Sequence, residues 1–418
     1  MTTLTDPPKD SFRLGMLIYD TRYRALTIQV VALFAFMLLA AWLINNTVQN
    51  LASLGKPIDF GFLSTAAQYD INQTLIAYDN QDSHLRASAV GLLNTLLVAV
   101  MGCALATVVG VLVGILRLSR NWLVARIMTV YVELFRNVPV LLWIVFAMAI
   151  LIESLPAPRD FRGEDAPAAM LFGDSVALTN RGFYVPEPLF ARTLGDLPVF
   201  GAFDISLDFL AILAVLGAGL FASGLIRTRA DRIQNATGIR PTTWYLRLGV
   251  VLLPLIALLV ALGFHLGYPE LRGFNFQGGI HMRNSLIALW LALSFYTAAF
   301  IAEAVRGGIL AISKGQTEAA AALGLRPGRI MSLVILPQAM RVIIPPLISQ
   351  YLNLTKNSSL AIAVGYMDIT GTLGGITMNQ TGRELECVLL LMLIYLVISL
   401  LISAVMNWYN TRVKLVER

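Results

Sequence analysis

Charged side chains are scarce in this sequence. Asp, Glu, Lys and Arg make up 13% of its 418 residues, about half the share of a soluble domain, whereas 57% are hydrophobic. Cysteine is almost absent. Cys103 and Cys387 lie in or beside apolar runs, so we interpret them as small packing residues and expect no disulfide. The three histidines lack the spacing of metal ligands, so the sequence predicts no metal site.

Catalytic signatures are missing as well. The sequence contains no GxxxxGK(S/T) phosphate-binding loop, no HExxH and no GxSxG. The chain is therefore expected to hold no cofactor, and nothing in it indicates a membrane enzyme. If the protein uses the energy of ATP, a separate subunit must hydrolyse the nucleotide.

Long apolar runs dominate the sequence instead. Eight of them approach or exceed the roughly 20 residues that a helix needs to cross hydrocarbon, which predicts an all-α polytopic membrane protein with about eight transmembrane helices. The first run resembles a secretory signal, but it is long and no small-x-small cleavage site follows, so we interpret it as an uncleaved anchor. The predicted spans are 25–44, 87–116, 138–155, 205–226, 248–266, 285–304, 339–365 and 388–408.

Basic residues indicate the orientation of these spans. With the N-terminus inside, 21 of the 31 Lys and Arg residues fall in the inner tails and segments, 9 are spread over longer outer loops, and Lys356 lies within a span. The positive-inside rule thus places both termini in the cytoplasm. Because the net charge of +6 sits beside membrane spans, the expected surroundings are lipid and not nucleic acid.

The second predicted span is rich in small residues. Gly91, Gly102, Gly110 and Gly114 all fall within it. In lipid, small side chains let the backbones of neighbouring helices approach closely. We therefore expect this span to pack tightly against others.

A short, soluble-looking segment, 318–337, separates the sixth and seventh spans. Its Ala-rich beginning favours a helix, and Gly324 can adopt the left-handed conformation that ends one, with Leu325 as the apolar contact beyond it. Pro327 suits the first turn of a second helix, where its missing N–H would have no partner anyway. The residues predict two short helices at about a right angle.

The second of these helices would be amphipathic. Ile330, Leu333 and Val334 fall on one face at helical spacing, and Pro337 is expected to break or kink the entry into the next span. These features fit two interpretations: an amphipathic connector on the membrane surface, or a knob that another protein grips.

The spacing within 318–337 resembles the EAA loop of bacterial ABC-importer permeases, a cytoplasmic loop that docks into a cleft of the ATPase. The resemblance rests on Glu318, Ala319, Ala320, Gly324, Val334, Leu336 and Pro337, with Val334 standing where the family usually has Ile. It implies an ATPase-coupling role for Glu318, Ala319, Ala320, Gly324, Pro327 and Pro337.

Three further stretches extend the resemblance to the permeases of polar amino-acid importers, the histidine/glutamine type. They are 133–139 (ELFRNVP), 296–316 and 381–386 (TGRELE). Trp143 departs from this subfamily, in which Gln is expected. The length of the chain is similar to that of the longer general L-amino acid permeases.

The family resemblance implies a layout. The second, third, sixth, seventh and eighth spans match the five helices of a type I ABC-importer permease core in order and orientation. Residues 1–86 would then be an N-terminal tail, an extra helix and a periplasmic loop. Residues 87–155 and 281–418 would form the two parts of the core, and 156–280 an insertion with a periplasmic segment and two extra helices.

The resemblance also implies a function and partners. A periplasmic amino-acid-binding protein would deliver L-amino acids to this subunit in the inner membrane, and a cytoplasmic ABC ATPase dimer would drive their import. A second, different permease subunit would complete the path. The alternative is a secondary amino-acid transporter that works without an ATPase, although no clear internal repeat or midplane acid favours it. A scaffolding subunit would not need the EAA loop.

Polar residues within spans are candidates for the substrate path, because they are costly in hydrocarbon. Lys356 could meet a substrate carboxylate; alternatively, it extends to the interface or pairs with an acid. The other candidates could equally form hydrogen bonds between helices. They are Asn94, Thr95, Tyr296, Thr297, Asn353 and Ser358.

Two pairs of opposite charge stand three residues apart at span ends. Glu303 and Arg306 can pair on one helix face, and we interpret them as a structural or gating pair. Glu133 and Arg136 have the same spacing, which also fits a solvated interfacial pair.

Overall fold

A computed structural model describes residues 15–163, 166–199 and 203–413. The chain divides after Phe62 into two units. The first contains α1 (Met16–Tyr19) and α2 (Thr21–Ser53). At 33 residues α2 is about 50 Å long, and it exposes apolar side chains on every face, as a helix surrounded by lipid does. It contains the predicted first span.

The second unit is built mainly from helices. Seven helices among the described residues of the chain are long and apolar enough to cross a membrane, or eight if one bent pair counts as a span, which confirms the predicted fold class. The helices are α3 (His84–Leu116), α4 (Trp122–Asn137), α5 (Val140–Ser154), α6 (Leu207–Thr237), α7 (Trp244–Ala261), α8 (Asn284–Leu310), α9 (Lys314–Ala322), α10 (Pro327–Ile330), α11 (Leu336–Asn357), α12 (Ile369–Gly371), α13 (Met378–Thr381) and α14 (Glu384–Val413).

The bent pair is α4 and α5, which meet at 108°. The predicted third span covers only 138–155, but 122–137 also folds as a helix. The Asn121 side chain begins α4 by accepting hydrogen bonds from the backbone N–H groups of Leu123 and Val124. Val138 is extended, as a residue before proline prefers, so the helix ends there and Pro139 starts the next one.

Helices α3 and α8 form the centre of the packed core. A β-carbon added at Gly110 would lie 2.6 Å from Cβ of Ile301, and one at Gly114 would lie 2.8 Å from the carbonyl oxygen of Ala302. Only glycine permits backbones this close. The predicted tight packing of the small-residue span is therefore confirmed.

Nine short strands, which were not predicted from the sequence, lie among the described residues between α5 and α8. Strands β1, β2 and β9 form one antiparallel sheet, and β3–β6, β4–β5 and β7–β8 form antiparallel pairs. The strands are β1 (Ala177–Thr179), β2 (Gly182–Val185), β3 (Glu187–Phe190), β4 (Asp196–Val199), β5 (Phe203–Ser206), β6 (Phe264–Gly267), β7 (Glu270–Arg272), β8 (Asn275–Gln277) and β9 (Ile280–Arg283). The helical hairpin α6–α7 is inserted in the chain between β5 and β6.

Candidate functional site

The segment between α8 and α11 begins as predicted. Helix α9 ends at Ala322, and Gly324 adopts the left-handed conformation with φ of +74°. The backbone N–H of Leu325 donates a hydrogen bond to the carbonyl of Ala320, and Pro327 occupies the first turn of α10. This turn makes α9 and α10 a compact helical pair.

A small apolar cluster holds this pair together. Ala320, Ile330 and Ile335 are each no more than 6% exposed, and Leu325 packs against them. Glu318, Ala319 and Gly324 are exposed on the outer surface of the pair. Ala320 thus contacts the second helix and does not lie on the outer surface. A role of Ala320 in ATPase coupling would therefore be indirect, through the packing of α9 against α10.

The predicted face of the second helix is wrong in one position. Leu333 is 62% exposed, whereas Ile330 and Ile335 are buried. The reason is a π-helical turn over Met331–Ile335, in which the N–H of Leu336 bonds to the carbonyl of Met331. The extra residue in this turn rotates the following side chains around the helix axis.

Of the break or kink predicted at Pro337, the break is absent. The helical run continues through Pro327–Val364, and Pro337 lies in the first turn of α11, directly after the π-helical turn. A π-helical turn removes regular i to i−4 bonds and so tolerates the missing N–H of proline. The second helix of the segment is therefore continuous with the seventh span.

Four of the candidate path residues lie in the packed interior. The Asn94 side chain donates to the carbonyls of Gln73 and Met367, at 2.8 and 2.9 Å. The Thr95 hydroxyl donates to the carbonyl of Gly91 and accepts from the N–H of Ile369. Asn94 and Thr95 therefore join α3 to the segment before α14, while their place on the path stays a prediction.

Two more buried candidates and the half-buried Tyr296 also have packing contacts. Ser358, which is fully buried, donates to the carbonyl of Thr355 at 2.8 Å, and Thr297 is 3% exposed. Tyr296 is half-buried beside Phe300, with ring centres 5.1 Å apart. The role of these three residues on the path stays a prediction.

Asn353 and Lys356 differ from the others because they are exposed. Together with Ser349 they form a polar stripe at positions i, i+4 and i+7 of α11, pointing away from the packed core. We name Ser349, Asn353 and Lys356 the α11 stripe. Polar groups are expensive against lipid tails, so this face is suited to a water-filled path or to another subunit.

The predicted pair of Glu303 and Arg306 is present, with a 2.8 Å contact. The structure adds a third member that the sequence analysis missed. Arg117, at the end of α3, also donates to the Glu303 carboxylate, and its side chain is only 8% exposed. Glu303 therefore ties α3 to α8. The sequence offered no signal for this contact, because the two residues are far apart in the chain.

Glu133 and Arg136, which were predicted to pair with each other, contact other residues. The Arg136 guanidinium lies over the ring of Phe300, 5.6 Å from its centre. The Glu133 carboxylate is 3.4 Å from the side-chain nitrogen of Asn137. Arg136 is thereby anchored to α8 through a cation–π contact.

The buried carboxylate of Asp368 was also not predicted from the sequence. Asp368 is fully buried; it caps α12 by accepting from the N–H of Gly371, and it accepts a hydrogen bond from the Tyr395 hydroxyl. The capping signal was available, since Asp commonly precedes a helix. Asp368 links the segment after α11 to α14.

Comparison with known proteins gives one consistent answer. The chain is 60% identical to the glutamate/glutamine/aspartate/asparagine transport system permease protein of Rhodobacter capsulatus, with 100% of both chains covered. It is 44% identical to the general L-amino acid transport system permease protein of Rhizobium johnstonii, covering 98% of this chain and 96% of the relative. A probable glutamine ABC transporter permease of Bacillus subtilis is 34% identical, covering 47% of this chain but 86% of the relative.

The family comparison covers most of the chain. Residues 106–415 match the family described as the binding-protein-dependent transport system inner membrane component. The chain belongs to this family, and it is a multi-pass inner-membrane permease subunit of an ATP-driven importer, not an enzyme.

Proposed function

We propose that this permease subunit carries L-amino acids, with glutamate, aspartate and their amides as the expected cargo. The observation that carries the proposal is the full-length similarity, at 60% identity, to a permease named for these four amino acids. The relative named for general L-amino acids supports the broader class at 44% identity.

The α9–α10 pair is the proposed contact with the ATPase. Glu318 and Ala319 offer an exposed helical surface, and Gly324 and Pro327 fix the turn to the second helix. Because the helical run from Pro327 passes through Pro337 to Val364, movement of the pair would be transmitted into the seventh span. The expected partner is a dimer of cytoplasmic ABC ATPases, which supplies the energy, so that this chain needs no cofactor of its own.

The substrate path is proposed to lie between this subunit and a second permease. The α11 stripe faces outward from the packed core, which supports a shared boundary with another subunit. We expect that subunit to be a different chain, because the longer permeases that this sequence resembles pair with a second one. A periplasmic binding protein would deliver the amino acid to the outer mouth.

The remaining layout is also a proposal. A relative matching only 47% of this chain supports a shared core with additions, in which 156–280 is an insertion and 1–86 precedes the core. The distribution of Lys and Arg supports cytoplasmic termini.

The test is reconstitution of the purified importer in proteoliposomes. The tagged chain should co-purify with an ATPase and a second permease, and uptake of labelled glutamate and glutamine should require both ATP and the binding protein. Competition by unlabelled amino acids then defines the cargo. Uptake by this chain alone, driven by an ion gradient, would instead support the secondary-transporter alternative.

A further inference from the structure

Two contacts between α6 and α7 define the register of this hairpin. Its helices pack antiparallel: a β-carbon at Gly219 would lie 3.1 Å from Cα of Val251, and the Arg247 side chain donates to the hydroxyl of Ser223. Residue 223 of α6 is therefore level with residue 247 of α7. Since α7 begins at Trp244, the end of α6 continues past its partner.

The polar boundary on α6 falls at Arg227. The preceding part of the helix, 207–226, is about 30 Å long, which matches the hydrocarbon thickness of a bilayer. Trp244 and Tyr245, at the matching level of α7, are 70% and 53% exposed. Aromatic side chains of this kind mark the membrane–water interface. Residues just after Arg227 thus lie in the headgroup layer.

One exposed stripe of α6 crosses this boundary. Phe221, Leu225, Arg229 and Arg232 follow each other at i, i+4, i+8 and i+11, and all four are exposed. We name these residues the α6 stripe. It lies away from the face that packs inside the hairpin, where Gly219, Ser223 and Ala230 are buried.

The charge of the α6 stripe is not neutralised by the nearby acid. Asp231 lies on another face of the helix and pairs with Arg240 at 2.9 Å. The stripe therefore presents two guanidinium groups at headgroup depth, directly beyond two large apolar side chains at acyl-chain depth.

We propose that the α6 stripe binds an anionic phospholipid, with its phosphate at Arg229 and Arg232 and an acyl chain along Phe221 and Leu225. Guanidinium groups bind phosphate through paired, charge-assisted hydrogen bonds. A soluble anion would use the arginines but not the apolar half. Helices α6 and α8 both start at strands of the segment between α5 and α8 and each crosses once, so the lipid belongs to the leaflet nearest α9.

The test uses the complete importer complex, exchanged into neutral detergent and titrated with phosphatidylglycerol or phosphatidylcholine of identical chains. Native mass spectrometry counts the bound lipids. We expect phosphatidylglycerol to bind at least fivefold more tightly than phosphatidylcholine. The double variant R229Q/R232Q should lose this preference, whereas F221A/L225A should weaken the binding of both lipids.

The matched control is R120Q/R126Q, which removes the same charge from the same membrane face but leaves the α6 stripe and the pair of Asp231 with Arg240 intact. It should keep the preference within twofold of the unmodified complex. An equal loss in both double variants would overturn the proposal, since net charge alone would then explain the binding. Release of the ATPase from R229Q/R232Q with lipid preference unchanged would also overturn it and assign the surface to a protein partner.

Discussion

Arg117 and Glu303 join the end of α3 to α8 by an ion pair that also includes Arg306. The Arg117 side chain is almost fully buried, at 8% exposure. Substitution E303Q would leave this guanidinium without its anion, so we expect a loss of about 1–3 kcal/mol and a lower melting temperature of the purified complex. R306Q, which keeps the contact between Arg117 and Glu303, should cost less. Equal melting temperatures for both variants would show that Arg117 contributes nothing.

The contact of Gly110 with Ile301 gives a second prediction. G110A would place a β-carbon 2.6 Å from Cβ of Ile301, so α3 and α8 must separate, at a cost of about 1–3 kcal/mol. Gly307 on α8 is the control, because nothing lies within 4 Å of a β-carbon there and alanine favours helix. Thermal unfolding in detergent should show G110A destabilised and G307A unchanged or stabilised. The reverse order would contradict the close helix approach.

Local signals in the sequence predicted the local features correctly. The small residues of the second span, the left-handed Gly324 and the pair of Glu303 with Arg306 follow from neighbours within one helix or turn. The exposure of Leu333 was not predictable in this way, because the π-helical turn before Pro337 changes the helical register.

Specific contacts between residues far apart in the chain could not be predicted from the sequence. Strand β2 pairs with β9, so that Tyr184 lies opposite His281, although almost a hundred residues separate them. The strands have three or four residues each, too few to show a clear alternation of apolar and polar side chains. Arg117 likewise meets Glu303 only through the packing of α3 on α8.

Gly324 gives a prediction about coupling. G324D should abolish uptake while leaving insertion intact. Asp adds a side chain where the backbone is left-handed, and it places a negative charge on the proposed ATPase surface. The strain alone is about 1–2 kcal/mol. We expect uptake below a tenth of normal with unchanged protein levels in the membrane. G328A, in the same segment but without a positive φ, is the control. Normal uptake by G324D would contradict the docking role.

His281 predicts a pH dependence of the strand region. Its ring stacks on Tyr184 at 4.2 Å, and burial, with Arg283 adding to it, lowers the pKa of His281 despite a hydrogen bond to the carbonyl of Arg181. Because the pKa of His281 is lower in the folded state, the neutral ring stabilises the fold. This contribution to stability is complete above the unfolded pKa of about 6.5 and decreases as pH falls below it. The protection of β2 and β9 amides, measured as their exchange rate relative to the intrinsic rate at each pH, should therefore decrease below about pH 6.5. H281Q should remove this change, whereas H265Q, at an exposed position, should retain it.

Lys356 provides the test of the proposed path. It is exposed on the α11 stripe within a membrane span, where an ammonium group is costly unless it meets water or an anion. If it attracts the carboxylate of an amino acid, K356M should lower uptake of glutamate at least tenfold, mainly through a higher KM. K356R retains the charge and should recover most of the activity. Both variants should co-purify with the ATPase in normal amounts, so that assembly is not the cause. Unchanged uptake by K356M would exclude Lys356 from the path and indicate that its ammonium group extends to the membrane interface instead.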